Sequence, residues 1–238
     1  MLPAFAAPGL RRFFPVEDIP LFRGDGAPGE RCPTHARRRE LWQLGLSLVT
    51  DPALTWCEFG VGEGESLDWF AFNKPTGNRL IGFDSFAGIP EPWAGHPVGH
   101  WRSPVYPSNR PDVVIVDGRF EDTLRGERTR SLLGPRIGFL HVDCDLYSAT
   151  RSVFTGIGDR IGPGTIVVFD EFYNVPQWYR HEARAFREFV DRERVEFEYI
   201  ARADFQVLIR IVATGAHAGW LCAPVSWEPR GVGIRLAR

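Results

Sequence analysis

Six carboxylates stand at or beside the ends of short apolar runs: Glu58, Asp84, Asp117, Asp143 and the pair Asp170-Glu171. An acid so placed can accept hydrogen bonds from a ligand, hold a hard cation or take up a proton. Just past the first of them the chain reads Gly60-Val61-Gly62-Glu63-Gly64-Glu65-Ser66. Glycines at every second position let the backbone turn tightly and let a ligand approach closely. Ser66 and Leu67-Asp68-Trp69-Phe70 then begin a helix, whose free N–H groups can bind a polar ligand group.

Other segments must position these residues. Thr34 to Val49 reads as a helix, with Thr34 as N-cap and Leu41, Leu44 and Leu48 along one face. Arg37-Arg38-Arg39 reads as its solvated face. Thr55 to Phe59 is a first strand, Ser66 to Phe72 a helix, and Arg79 to Phe83 a second strand ending at Asp84. Ser85 to Asp112 has no period and is dense in Pro, Gly and aromatics, too aromatic for a disordered linker. It is expected over the carboxyl edge of the sheet, where Trp93 and Trp101 would either stack on an acceptor or staple the loop down.

Val113 to Val116 is a third strand, closed by Asp117-Gly118, and Arg119 to Leu124 leads into a helix. Ile137 to Val142 is the fourth strand, and Tyr147 to Ile157 a helix with Asp145 as its cap. Thr165 to Phe169 is apolar throughout and suits a central parallel strand. His181 to Arg192 is an amphipathic helix. Val195 to Ala201 and Phe205 to Val212 alternate as an antiparallel hairpin.

The totals favour one α/β domain in 238 residues. Lys+Arg 28 against Asp+Glu 30 leaves a net charge of −2, so no basic field speaks for nucleic acid. Cys32, Cys57, Cys144 and Cys222 form no C-x-x-C pair and suit reduced thiols in a cytoplasmic protein. Arg11-Arg12 follow the apolar start instead of preceding it, against a signal peptide, and no run is long enough to span a membrane. Residues 1–33 are expected as an irregular arm that could serve as a lid, 34–212 as the domain, and 213–238 as a tail packed on it.

The glycine spacing separates two cofactors. A dinucleotide fingerprint needs its third glycine at position 65, which is Glu; the third glycine is Gly64. Glu-x-Gly-x-Gly-x-Gly resembles the first motif of Rossmann-like S-adenosylmethionine (SAM) methyltransferases. Four further stretches follow in order: Phe83-Asp84-Ser85-Phe86-Ala87-Gly88-Ile89-Pro90, Asp122-Thr123-Leu124, the run from His141-Val142-Asp143 to Thr150, and Phe169-Asp170-Glu171. As a set they resemble the macrocin O-methyltransferase family, SAM-dependent enzymes that methylate sugar hydroxyls of natural products. The resemblance covers about Thr34 to Val212. It implies an α/β, Rossmann-like fold: a seven-stranded, mostly parallel sheet with a C-terminal antiparallel hairpin and helices on both faces. It also implies SAM and, in characterised members, Mg²⁺.

Each part of SAM then has candidate partners. Glu58 and Gly60 would take the ammonium, Asp84 and Ser85 the ribose, and Phe86, Asp117, Gly118 and Phe120 the adenine. Gly62, Gly64 and Ser66 would keep the cradle open, with Asp143 beside the methyl. An alcohol needs help to lose its proton. If the fourth and fifth strands are neighbours, their ends are about 5 Å apart, and Asp143, Asp170 and Glu171 would converge on a hard-oxygen site for Mg²⁺. The family more often has two aspartates where this chain has Asp170-Glu171, so the metal is in question. Without it, Asp143 or a histidine would be the base: His181, opening a helix, or His141, which inside an apolar strand is more often a core residue.

The expected function is O-methylation of a small, hydroxylated, sugar-bearing acceptor, with no nucleic-acid or membrane partner and homo-oligomerisation left open. The rivals are a phenol- or catechol-type O-methyltransferase and a SAM-binding subunit without catalysis.

Overall fold

A computed structural model describes residues 34–49, 51 and 53–215. The arm expected over 1–33 and residues 216–238 of the expected tail lie outside these. The strands are β1 (Thr55–Phe59), β2 (Leu80–Asp84), β3 (Val113–Asp117), β4 (Ile137–Val142), β5 (Ile166–Phe169), β6 (Glu196–Arg202) and β7 (Val207–Ala213). The helices are α1 (Thr34–Ser47), α2 (Glu65–Asn73), α3 (Phe120–Thr123), α4 (Glu127–Leu133), α5 (Tyr147–Ile157) and α6 (Glu182–Glu193).

The seven strands form one sheet in the order β3-β2-β1-β4-β5-β7-β6. The first five pair in parallel, and β7 runs antiparallel to both β5 and β6. Every residue of β1, β4 and β5 is buried, as strands covered on both faces require. Alternation splits them between two cores. Trp56, Phe139, Ile166 and Val168 pack against α1 and α2, while Cys57, Leu140, Val142 and Val167 pack against α5 and α6.

The buried face of α1 differs from the expected one. Leu41, Trp42, Gly45 and Leu46 are buried, whereas Leu44 and Leu48 are only half-buried. Gly45 explains the close fit: a Cβ there would lie 3.3 Å from Leu208 and Phe139. Continuing that face one turn towards the N-terminus reaches Arg38.

Register places the strand ends. One row of paired residues runs Val116, Phe83, Phe59, Val142 and Phe169 across β3, β2, β1, β4 and β5. The next residue of each strand is therefore at the carboxyl edge: Asp117, Asp84, Gly60, Asp143 and Asp170. The amides of Gly60, Asp143 and Asp170 still donate to neighbouring strands, at 2.9, 2.8 and 2.9 Å. Gly60 (φ +97°) has no room for a side chain, since a Cβ would lie 1.8 Å from the Asp143 carbonyl oxygen. Gly62 (φ +53°) would meet nothing within 4 Å.

The two glycines should separate in a denaturation experiment. Gly60→Ala forces β1 from β4 and is expected to cost about 2–4 kcal/mol by urea unfolding. Gly62→Ala carries only the left-handed backbone penalty, about 1–2 kcal/mol. Equal losses would contradict this reading of the turn.

Candidate active site

A cavity of about 1470 Å³ opens along the carboxyl edge of the sheet. That exceeds the roughly 300–1,000 Å³ of a single-ligand pocket and suits two reactants. Of the residues expected to bind a cofactor, Gly60, Gly62, Ser66, Asp84, Ser85, Gly118, Phe120 and Asp143 line it, as do Asp170 and Glu171.

Asp84 organises the turn. One carboxylate oxygen accepts the amides of Val61 and Gly62, both at 2.8 Å, and the other accepts the amide of Phe86 at 2.8 Å. Three of about four lone-pair positions are used, which leaves about one for a ribose hydroxyl. Above the turn, the Ser103 hydroxyl donates to the Gly62 carbonyl at 3.2 Å. Tyr106 hydrogen bonds to Asp68, and its ring lies where a Cβ of Gly64 would be. The segment between β2 and β3 is therefore a roof pinned to the turn. Trp93 is buried in it, against Ile89 and Leu146, while Trp101 is 48% exposed and lines the cavity.

Several expected residues lie elsewhere. Gly64 faces Tyr106, Phe86 is buried, and Asp117 is exposed at the end of β3; none lines the cavity. Glu58 is fully buried, two residues before the edge row, and its Oε1 lies 2.9 Å from His141 Nδ1 on the paired strand. The sheet holds that carboxylate in the core instead of presenting it to an ammonium group. His181 starts α6 with its ring edge-on to Trp93 at 6.1 Å, outside the cavity lining. Asp145 caps nothing: the N-cap of α5 is Leu146, and Asp145 (φ +60°) lines the cavity.

The acids gather as two overlapping groups. Asp143, Asp145 and Glu171 place ligand atoms within 4.8 Å of one another, and so do His141, Asp143 and Asp170. Glu182 supports them from the first turn of α6, accepting the amide of Cys144 at 2.9 Å and that of Glu171 at 3.4 Å.

The set expected to bind metal is thus rearranged. Asp170 is taken up by cations instead: Arg38 Nε donates to its Oδ1 at 2.8 Å, and His141 Nε2 stands 3.6 Å away. Arg38 Nη2 also donates to Asp143 Oδ2 at 3.1 Å, and its guanidinium lies 4.7 Å from the Trp42 ring. Arg38 is therefore part of the site and not of a solvated face. Its signal was in the chain, as the residue four before Trp42 on the buried side of α1.

Electrostatics follow from this crowding. Burial, then the charge of Asp170, pushes Asp143 well above the usual carboxylate range, against Arg38 and His141. Burial, then Asp170 and Asp143, does the same to Glu171. Burial, with Asp170 and Asp84, raises Asp145 to about 7. Burial also raises Glu182. Asp170 goes the other way: burial opposes its charge, but Arg38 and His141 hold it down at about 2. Burial disfavours charge on His141 too, yet Asp170 and Glu58 raise it to about 10.

The fold has counterparts among known proteins. Residues 57–172 match a family model described as a methyltransferase domain. That segment runs from β1 to just past β5 and carries both the glycine turn and the acids. No curated protein matches the chain significantly. Among solved structures, CalS11, a calicheamicin methyltransferase, aligns with TM-score 0.54 at 20% identity, over 76% of this chain and 87% of its own. The O-methyltransferase NovP aligns with TM-score 0.52 at 18% identity, over 85% and 96%. An O-methyltransferase from Bacillus cereus in complex with SAH aligns with TM-score 0.50 at 17% identity, over 78% and 84%. The fold is the Rossmann-like one that these structures share, and the matched segment is similar to a methyltransferase domain. Among the described residues, no helix is long and apolar enough to cross a membrane.

The cluster should give an unusual pH profile. Asp143, Asp145, Glu171, Glu182 and His141 all hold protons more tightly when folded. Unfolded carboxylates titrate near 4 and histidine near 6.5. The carboxyl groups' stabilisation is thus complete below about pH 4, and that of His141 below about 6.5. It is lost as pH rises through the folded values, about 7 for Asp145 and about 10 for His141. Asp170 acts oppositely, only below about pH 4. The melting temperature without divalent cation is expected to fall from about pH 5 to about pH 9, and less steeply in Asp145→Asn. A midpoint climbing over that range would contradict the assignment.

Proposed function

We propose that this protein transfers the methyl group of SAM to a hydroxyl of a small, sugar-bearing acceptor, with Mg²⁺ assisting. One observation carries the reading: an acid cluster and the glycine turn open into one cavity large enough for donor and acceptor together. Oxygen as the acceptor atom follows from the acids, since a hydroxyl needs both a proton acceptor and charge stabilisation to react. CalS11 is also described as a TDP-rhamnose 3'-O-methyltransferase, which gives sugar acceptors a precedent on this fold.

The residues present fit both absent groups. Gly62 leaves open space beside the turn, and Ser66 faces the cavity from the first turn of α2. Glu171 Oε2 is buried with no hydrogen-bond partner among the described residues, next to Asp143 and Asp145. An all-oxygen set of this kind suits a hard divalent cation. SAM brings an electrophilic methyl, and Mg²⁺ a Lewis acid for the acceptor oxygen.

The chain's own residues do the rest. Asp84 holds the turn and keeps a lone pair for the ribose. Phe120, edge-on to Phe59 at 5.3 Å, offers an apolar wall for the adenine. Asp143 and Glu171 would hold the cation. Asp145, which lines the cavity beside them, takes the hydroxyl proton on its carboxylate. The roof excludes water, and binding aligns oxygen, methyl and sulfur. The exposed Trp101 favours a second reading, a flat phenolic acceptor stacked on its ring.

Turnover with labelled SAM across hydroxylated glycosides and phenols tests both readings, and glycosides are expected to react. Asp145→Asn should lower kcat by about 10²–10⁴-fold while SAM affinity stays within about tenfold. Unchanged kcat would remove Asp145 as base. EDTA should inhibit and Mg²⁺ restore activity; turnover indifferent to chelator would remove the cation from the scheme.

A further inference from the structure

Among the described residues, Arg38 reaches into the acid cluster from outside the edge row with a permanent charge. It bridges the two strands, donating from Nε to Asp170 and from Nη2 to Asp143. Its side chain is 20% exposed and rests on Trp42. Asp143 is the residue shared by both groups of converging ligand atoms. The atom Arg38 takes, Asp143 Oδ2, belongs to the carboxylate a divalent cation would need first.

We propose that Arg38 is the resident cation of this site: it holds Asp143 and Asp170 while the site is without metal, and a divalent cation binds by taking Asp143 from it. The inference rests on the cation reading above and adds the residue that governs it. Two features make the exchange feasible. Arg38 lines the cavity, so its guanidinium can swing into open space without moving α1. Asp170 has a second cationic neighbour in His141 and does not become an isolated buried charge when Arg38 leaves. Against this, α1 cannot retreat, because Leu41, Trp42 and Gly45 seat it on the sheet. Arg38 therefore competes for Asp143 at a high local concentration, and metal affinity is set below what the carboxylates alone would give.

The test is Mn²⁺ binding to the SAM-free, full-length protein by calorimetry and electron paramagnetic resonance, for wild type, Arg38→Gln and Arg38→Lys. Arg38→Gln is expected to bind Mn²⁺ about tenfold more tightly, or better. Arg38→Lys keeps the charge but loses the two-pronged donor and should fall between the two. If Arg38→Gln fails to fold, as judged by circular dichroism, Arg38→Lys decides: affinity equal to wild type overturns the proposal. Mn²⁺ bound by Arg38→Gln but not by wild type overturns the exchange, since the native site then never yields Asp143 to a divalent cation. Equal affinity in wild type and Arg38→Gln, or weaker binding in the variant, overturns it and leaves the cation reading standing. No binding by any of the three overturns both.

Discussion

Like charges confined at one edge of a sheet are the constraint on which the site depends. Asp143, Asp145, Asp170, Glu171 and Glu182 crowd the ends of β4 and β5 and the start of α6. Among the described residues, the cations Arg38 and His141 lie among them. Isolated charges so placed are costly, and neutralisation is their usual escape. Here three remedies act together. Ion pairing holds Asp170 charged, backbone amides support Glu182, and proton retention relieves Asp143, Asp145 and Glu171. The remaining negative charge faces the cavity, where the proposed reaction would release a proton.

The sheet register creates that crowding. In a parallel sheet, neighbouring strands that end in the same row bring their next residues side by side. Phe59, Val142 and Phe169 share a row, so Gly60, Asp143 and Asp170 follow together. Gly60 is small because the carbonyl of Asp143 occupies the space a side chain would need. The same alternation sends Glu58, His141 and Asp170 to the face covered by α1 and α2. Trp42 and Phe70 pack edge-on to the His141 ring at 5.6 and 4.9 Å. A polar relay thus runs from the core, Glu58 to His141 to Asp170, out to Arg38 at the cavity.

Rigid and irregular parts divide the work. The turn and the acids are mounted on strand ends, where the sheet fixes their spacing. The roof between β2 and β3 has no regular structure, yet specific bonds hold it: Ile89 with His100 and Gly99, Trp93 with His96, and Ser103 with Phe86. Trp93 serves as its anchor, and Trp101, packed against His96 and His100, stays partly exposed.

Much of this was written in local pattern. Alternation, apolar runs and glycine spacing are properties of neighbours in the chain, and they determined the strands, the helices, the closing hairpin and the turn between β1 and α2. They also placed Asp84, Asp143, Asp170 and Glu171 at the edge. Which of these acids face one another, and which face a cation, was decided by tertiary structure alone. Arg38 sits 105 residues from Asp143 and 132 from Asp170 in sequence, and meets them because α1 lies across β4 and β5. Glu58 looks like a ligand from its motif and is a core residue because its paired neighbour is His141. Asp145 looks like a helix cap and instead faces the cavity, because its backbone turns left-handed before α5 begins. Local pattern sets where a side chain stands along its element; only the packing of elements sets what it meets, and charge is felt through space.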